Sequence, residues 1–162
     1  MHYSTILIEQ YRGKGIIVDT NLLLLLAIGQ YDIRRISTFK RTDKFNADIF
    51  LAVKTVVEQF EQKYSTPNII TELDNLSRML PAREWQAISD TLTNFVPLFI
   101  EIYQHSGRVL RHALYSKIGI TDCSIAMIPD ALIFTDDLPL TGRLQGLGRD
   151  VLNVSHLILD AS

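Results

Sequence analysis

The sequence contains a single cysteine, Cys123, in 162 residues. One cysteine cannot form a disulfide within the chain, and it cannot supply the several thiolates of a cysteine-based zinc finger. The chain is nevertheless long enough to bury a hydrophobic core without disulfides or a structural metal. We therefore expect one domain over residues 1–162, held together by side-chain packing.

Long hydrophobic runs and a strong excess of one charge are also missing. The longest apolar run covers residues 22–29, far short of the ~20 residues that a membrane-spanning helix needs. Lysine and arginine total 16 against 18 aspartates and glutamates, a formal net charge of −2, which excludes a uniformly basic nucleic-acid coat. The first residues lack the basic and apolar segments of a secretory signal. These features predict a cytoplasmic protein with no membrane partner.

Glycine and proline are sparse, at 8 and 5 residues, and no linker, repeat or low-complexity tract divides the chain. Short β-branched runs alternate instead with longer amphipathic segments. Strands are predicted at 16–18, 68–70, 131–134 and 151–154, with an extended segment at 98–103. This alternation predicts an α/β fold: a single-domain, three-layer sandwich with a mainly parallel central sheet and helices on both faces.

Apolar periodicity predicts the helices between these strands. They are expected directly after Asn21, at 47–63, from 72 toward 79, from 81 to 95, at 107–117, at 121–127 and at 140–147. Asn21, Thr71 and Thr121 are the predicted N-caps. Residues 1–13 are predicted as an N-terminal arm or an extra strand, and residues 30–46 as a polar connection.

Common catalytic signatures are absent, which leaves a distribution of carboxylates as the main functional signal. The sequence has no P-loop, no dinucleotide-binding glycine fingerprint, no H-E-x-x-H pair and no G-x-S-x-G elbow. Asp19 follows the first strand, and Asp136 and Asp137 follow the strand at 131–134. Glu72 and Asp122 begin predicted helices. In a parallel sheet all these positions share one edge, where open α/β sheets bind ligands.

Converging carboxylates repel one another unless a cation neutralises them. Oxygen donors without histidine or cysteine select Mg²⁺ or Mn²⁺, and such an ion can activate water and hold phosphate oxygens. A simpler explanation exists for most of the acids, since Glu72 and Asp122 would stabilise helix dipoles and Asp136 and Asp137 would form a turn. Asp19 is harder to explain in this way, because an acid directly after a buried strand is poorly solvated.

Four acid-bearing motifs follow one another along the chain: IIVDTN at 16–21, TEL at 71–73, GITDCSIA at 119–126 and LIFTDDL at 132–138. In order and spread, from residue 15 to 154, they resemble the motifs of the PIN-domain family of nucleases. Members of that family cleave RNA with Mg²⁺ or Mn²⁺, and many small ones are toxins of bacterial toxin–antitoxin pairs. The resemblance implies an Mg²⁺- or Mn²⁺-dependent endoribonuclease whose candidate partners are RNA, an antitoxin protein and a second copy of the chain.

The resemblance also implies the roles of individual residues. It assigns catalysis and metal binding to Asp19, Glu72, Asp122 and Asp137. Asp136 is a further candidate metal ligand, although the family pattern of threonine, any residue, aspartate favours Asp137. The residues expected to orient carboxylates or water are Thr20, Asn21 and Thr135.

A predicted helix without acids, between residues 104 and 119, is the candidate RNA-binding element. Its basic side chains are Arg108, Arg111, His112 and Lys117. They would contact RNA phosphates, and a solvated helix face is the simpler explanation. The basic residues between 34 and 44 would contact RNA in the same way or bind an acidic partner.

Two other functions compete with the nuclease. The first is a catalytically silent PIN-like domain that binds RNA or a protein, against which the complete set of mutually repelling acids argues. The second is a phosphotransfer enzyme or receiver built on Asp19. The haloacid-dehalogenase pattern requires a second aspartate two residues later, where Asn21 stands, and a receiver requires an acid pair before the first strand, where none is evident.

Overall fold

In the computed structural model, which describes residues 2–160, a five-stranded and entirely parallel β-sheet lies between helices on both faces. The strands are β1 (Ile16–Val18), β2 (Lys63–Ser65), β3 (Ile100–Glu101), β4 (Leu132–Thr135) and β5 (Val151–Asn153). The helices are α1 (Tyr3–Tyr11), α2 (Thr20–Tyr31), α3 (Ala47–Glu58), α4 (Pro67–Ser77), α5 (Trp85–Phe95), α6 (Ser106–Val109), α7 (Tyr115–Ala126), α8 (Leu138–Gly146) and α9 (Val154–Asp160). The predicted three-layer α/β sandwich is confirmed. Residues 1, 161 and 162 of the predicted domain lie outside the described residues.

The strand order is β3-β2-β1-β4-β5, which makes β1 the central strand. The chain moves outward from β1 to β3, then returns across the sheet to β4 and continues to β5. The direction of winding therefore reverses between β1 and β4, and a ligand crevice is expected at their carboxyl ends. Val18 pairs with Phe134 in this register, and the Asp19 amide donates to the Phe134 carbonyl at 3.0 Å. The residues that follow the two strands are thereby brought together.

The core is built around β1 and the helix that follows it. Ile16, Ile17 and Val18 are fully buried, as expected of a strand covered on both faces. Helix α2 is apolar on every side, and it packs against α3, α4 and α5. A helix of this kind belongs in the interior of a domain. In residues 2–160 no helix combines the length and apolar character needed to cross a membrane.

The prediction for residues 1–13 is wrong, because most of this segment forms helix α1. Leu7 and Ile8 are buried, and the helix packs against β4 and α9. The predicted polar connection at 30–46 is also more structured than expected. Helix α2 continues to Tyr31, a 3₁₀ turn follows at Ile33–Arg35, and Ile36, Phe39 and Phe45 anchor the segment in the core.

The predictions around Pro67 are wrong by several residues. Helix α3 ends at Glu58 rather than 63, and the second strand is Lys63–Ser65 rather than 68–70. Residues 68–70 belong to α4, which has proline in its first turn and Thr66 as its N-cap instead of Thr71. A short apolar run does not by itself distinguish a strand from a buried helical turn. Glu72 therefore lies in the middle of α4 and not at its start.

The predicted helix at 107–117 is also wrong. Helix α6 ends at Val109, a turn follows, and α7 begins at Tyr115, which leaves Leu110 43% exposed. Helix α7 is kinked at Gly119, which has φ 80° and ψ 177°. Thr121 lies inside α7 and its side chain caps nothing. The predicted strands at 131–134 and 151–154, the extended segment and the helices at 81–95 and 140–147 are present with small changes of boundary.

Candidate active site

A small pocket at the carboxyl ends of β1 and β4 brings four of the predicted acids together. Its volume is about 100 Å³. Its lining residues are Asp19, Thr20, Asn21, Glu72, Asp122, Asp137 and Leu140. We call it the acid pocket. Four segments of the chain contribute carboxylates, and none of these lining residues is basic.

Asp19 is fixed by hydrogen bonds to both of its carboxylate oxygens. It is the N-cap of α2, where Oδ1 accepts from the Leu22 amide at 2.9 Å. Its Oδ2 accepts from the Thr135 hydroxyl and, at 3.3 Å, from the Asp136 amide. The predicted cap, Asn21, lies within the first turn of α2. The buried strand end thus holds Asp19 in one orientation at the crevice.

The environment of Asp19 disfavours its charged form. Burial, followed by the nearby charge of Asp136, raises the pKa of Asp19 to about 7. The hydrogen bonds from Thr135, Leu22 and the Asp136 amide stabilise the carboxylate and act in the opposite direction. Metal-free Asp19 is therefore partly protonated near neutral pH, whereas a nearby cation would favour its ionised form.

Glu72 and Asp122 reach the acid pocket from two helices that pack against each other. The Thr20 hydroxyl donates to Glu72 Oε2 at 3.4 Å. Burial raises the pKa of Asp122 to about 6, and the charges of Glu72 and Asp137 act in the same direction. Three carboxylates from three elements thus interact electrostatically across the pocket.

Asp136 and Asp137 face different surroundings although they are adjacent in sequence. Asp137 lines the acid pocket and caps α8, where its Oδ1 accepts from the Leu140 amide at 2.8 Å. Asp136 lies outside the pocket lining. It forms an ion pair with Lys44 and accepts from Asn21 Nδ2 at 3.3 Å. Asp137, and not Asp136, caps the turn that begins α8.

The donor chemistry of the acid pocket fits Mg²⁺ or Mn²⁺, since all the donors are oxygens. In the present side-chain conformations, however, no three Asp, Glu, His or Cys residues within 2–160 form a group that could hold a metal ion. Burial is the main cause of the raised pKa values of Asp19 and Asp122, and the charges of neighbouring carboxylates act in the same direction. Metal binding would therefore require these side chains to move closer together.

The predicted RNA-binding residues do not share one helix face. Arg108 lies in α6, Arg111 and His112 lie in the following turn, and Lys117 lies in the first turn of α7. Arg108, Arg111 and Lys117 are exposed, whereas His112 Nδ1 accepts from the Leu114 amide at 3.1 Å and so stabilises the turn. These cations therefore lie along α6, the turn after it and the start of α7, and not on one continuous helix.

Two features of the site have no clear signal in the sequence. Lys44 reaches Asp136 across 92 positions of the chain, and only the folded structure shows that this lysine, among the basic residues at 34–44, lies at the acid edge. Arg143 on α8 donates to the Lys117 carbonyl at 3.0 Å and adds a cation beside the predicted basic segment.

Comparison with family models, with curated proteins and with solved structures finds no significant match to this chain. The resemblance to PIN domains therefore stays a prediction from the sequence motifs.

Proposed function

We propose that this protein is an Mg²⁺- or Mn²⁺-dependent endoribonuclease whose active site is the acid pocket. The observation that supports this most strongly is the convergence of Asp19, Glu72, Asp122 and Asp137 at the point where the winding of the sheet reverses. Open α/β sheets bind their ligands at this point. A concentration of uncompensated carboxylates there is costly for a purely structural role and useful for holding a divalent cation.

The four acids would hold the cation, which when bound supplies an activated water and positive charge for the phosphate oxygens. Thr135 and the Leu22 amide orient the two oxygens of Asp19. Thr20 restrains Glu72, and the capping contact restrains Asp137. The hydrogen bonds to Asp19, Glu72 and Asp137 orient these carboxylates for the reaction.

RNA is the proposed substrate. Arg108, Arg111 and Lys117 are exposed and would contact phosphates, in sequence-independent binding. By resemblance, hydrolysis should leave 5′-phosphate and 3′-hydroxyl ends, and the enzyme would act in the cytoplasm. An antitoxin protein and a second copy of the chain stay predicted partners.

Cleavage of single-stranded RNA by the full chain tests the proposal. We expect cleavage with Mg²⁺ or Mn²⁺ and none in EDTA, with restoration when the cation is returned in excess. End-labelling of the fragments should detect 5′-phosphates. Cleavage that survives complete chelation would rule out the proposed role of the acid pocket.

A catalytically silent RNA- or protein-binding domain is the alternative, and one observation favours it. The acids do not form a ready metal-binding group in the present conformation. The same assay separates the two functions, because a silent domain would bind RNA with no cation-dependent cleavage at any Mg²⁺ or Mn²⁺ concentration.

A further inference from the structure

A second concavity lies beside the acid pocket and shares one wall with it. This groove has a volume of about 370 Å³, and Glu72 lines both the groove and the acid pocket. Its lining includes Asn68, Glu72, Asn75, Tyr103, Gln104 and Thr121. We call this concavity the tyrosine groove. The acid pocket and the tyrosine groove therefore meet at Glu72.

Helix α4 presents a continuous polar stripe to the tyrosine groove. Asn68, Thr71, Glu72 and Asn75 are spaced three, four and seven residues apart and so share one helix face. The opposite face of the same helix carries the buried Ile69 and Leu73. The stripe holds two amide side chains beside Glu72, and amides can donate to and accept from the edges of nucleobases.

Tyr103 lines the same groove, between two residues that are hydrogen-bonded to the rest of the domain. The Ile102 amide donates to the Ser65 carbonyl at 2.9 Å, and Gln104 Nε2 donates to the Ser124 carbonyl at 3.0 Å. The side chain of Tyr103 is nevertheless 75% exposed, and within residues 2–160 it makes no hydrogen bond or ring contact. An exposed aromatic ring without such contacts contributes little to the core and is suited to stacking on a flat ligand.

The tyrosine groove is polar but almost uncharged, which indicates what part of a ligand it would take. Within the described residues, Glu72 is the single lining residue with a formal charge. Gln104 Oε1 is buried and accepts no hydrogen bond. A phosphate would find no cation among these side chains, whereas a base would find an aromatic ring and hydrogen-bonding groups. Arg108 is exposed and lies two residues after Ser106, which lines the groove.

We infer that the tyrosine groove is a subsite for a single-stranded nucleobase next to the scissile phosphate, with Tyr103 as the stacking platform. The inference rests on the proposed ribonuclease function, which it deepens by placing an unpaired base beside the cleavage site. A paired base cannot stack on Tyr103, so the subsite selects single-stranded RNA. Asn68 and Asn75 contact the base edge and give the site its base preference.

Equilibrium binding of a short fluorescent oligouridylate tests the subsite. The full chain is titrated in EDTA, and a gel confirms that the RNA stays intact. Tyr103→Ala should weaken binding roughly 5- to 150-fold, the range expected for loss of one stacked base. Tyr103→Phe should bind as the parent does, because stacking requires the ring and not the hydroxyl. Tyr3→Ala, a change at an exposed tyrosine on α1 whose ring contacts His156, should leave RNA binding unchanged.

An oligonucleotide that lacks bases but keeps its ribose-phosphate backbone provides the decisive comparison. Tyr103→Ala should leave its affinity unchanged, because only the base contacts Tyr103. An equal loss for both oligonucleotides would overturn the inference, and so would unchanged affinity for both, which would instead favour a protein contact at Tyr103. Metal-dependent cleavage by the parent is scored separately. If the parent cleaves RNA but Tyr103→Ala binds the oligouridylate as tightly as the parent, the subsite alone is refuted. If Tyr103→Ala weakens only base-dependent binding and the parent does not cleave, the ribonuclease function alone is refuted.

Discussion

Asp136 and Asp137 are adjacent aspartates with different partners. Asp137 lines the acid pocket, whereas Asp136 pairs with Lys44 and Asn21 outside it. Asp137→Asn should lower the cleavage rate by orders of magnitude, because it removes a charged oxygen from the metal site. The capping contact to Leu140 survives in this variant, since asparagine is an equally good N-cap.

Asp136→Asn is the matched control for this comparison. It should retain most of the activity and cost about 1 kcal/mol of stability at most, because its partner Lys44 is half exposed. Steady-state cleavage rates and thermal unfolding of both variants provide the measurement. The opposite ranking of rates would assign the fourth ligand to Asp136.

Asp19 should make the stability of the metal-free protein depend on pH. Its pKa is about 7 in the folded protein, above its ordinary value, so the folded state binds more protons than the unfolded state between about pH 4 and pH 7. The free energy of unfolding should therefore fall as pH rises through this window and level off above it. The expected fall is roughly 2–3 kcal/mol between pH 5 and pH 8.

Urea unfolding of the parent and of Asp19→Asn in EDTA measures this dependence. In Asp19→Asn only the smaller contribution of Asp122, whose pKa is raised to about 6, should remain in the pH dependence of the free energy of unfolding. At pH 8 this variant should be as stable as the parent or more stable. The same pH dependence in both proteins would show that Asp19 ionises normally.

At the residue scale, the sequence was sufficient to select Asp19, Glu72, Asp122 and Asp137, which all line one pocket. The contacts that surround the pocket are harder to predict from the sequence. Lys44, which pairs with Asp136, is 92 positions away, and local patterns carry no signal for such a contact. The sequence predicts Asn21 as the cap of α2, whereas Asp19, which follows β1, is the cap in the structure.

At the scale of elements, the kink in α7 places Asp122. Gly119 adopts φ 80° and ψ 177°, a conformation that is essentially restricted to glycine. Gly119→Ala should destabilise the fold by about 1–3 kcal/mol and lower activity, because relaxation of the kink displaces Asp122. No atom would clash with the added methyl group, so the backbone conformation alone is tested.

Gly142→Ala is the matched control for the kink. Gly142 lies in α8 with open space around its missing side chain, and alanine there should stabilise the helix by about 0.4–1 kcal/mol. Thermal unfolding and cleavage rates of both variants make the comparison. If the two variants were equally stable, residue 119 would not require the backbone conformation that favours glycine.

The predictions agree with the structure for the helix at 81–95 and for the short strands at 16–18, 131–134 and 151–154, but not for the apolar run at 68–70 or the basic segment at 107–117. The amphipathic segment that forms α5 was predicted from its buried face at Ile88, Leu92 and Phe95. The run at 68–70 was assigned to a strand, although Pro67 and Thr66 together favour the start of a helix. The basic segment at 107–117 was expected as one helix, and the break after Val109 has no clear local signal.

At the scale of the whole molecule, alternation of strands and helices was enough to predict a parallel, three-layer α/β sandwich. The order of the strands was not predicted, because it depends on which strands pair over long distances. The reversal of winding between β1 and β4 follows only from that order. The four acids, each of which is a weak signal in the sequence, lie together in one pocket at this reversal.

The central claim is that the acid pocket binds a divalent cation. Calorimetric titration of the full chain with Mn²⁺ at pH 8 tests it most directly, with Asp137→Asn as the test variant and Asp74→Asn as the control. Asp74 lies on α4 near Glu72, but it pairs with Arg78 and does not line the pocket. We predict saturable Mn²⁺ binding to the parent and to Asp74→Asn, and at least about tenfold weaker binding to Asp137→Asn. The absence of saturable binding, or identical isotherms for all three proteins, would contradict the account.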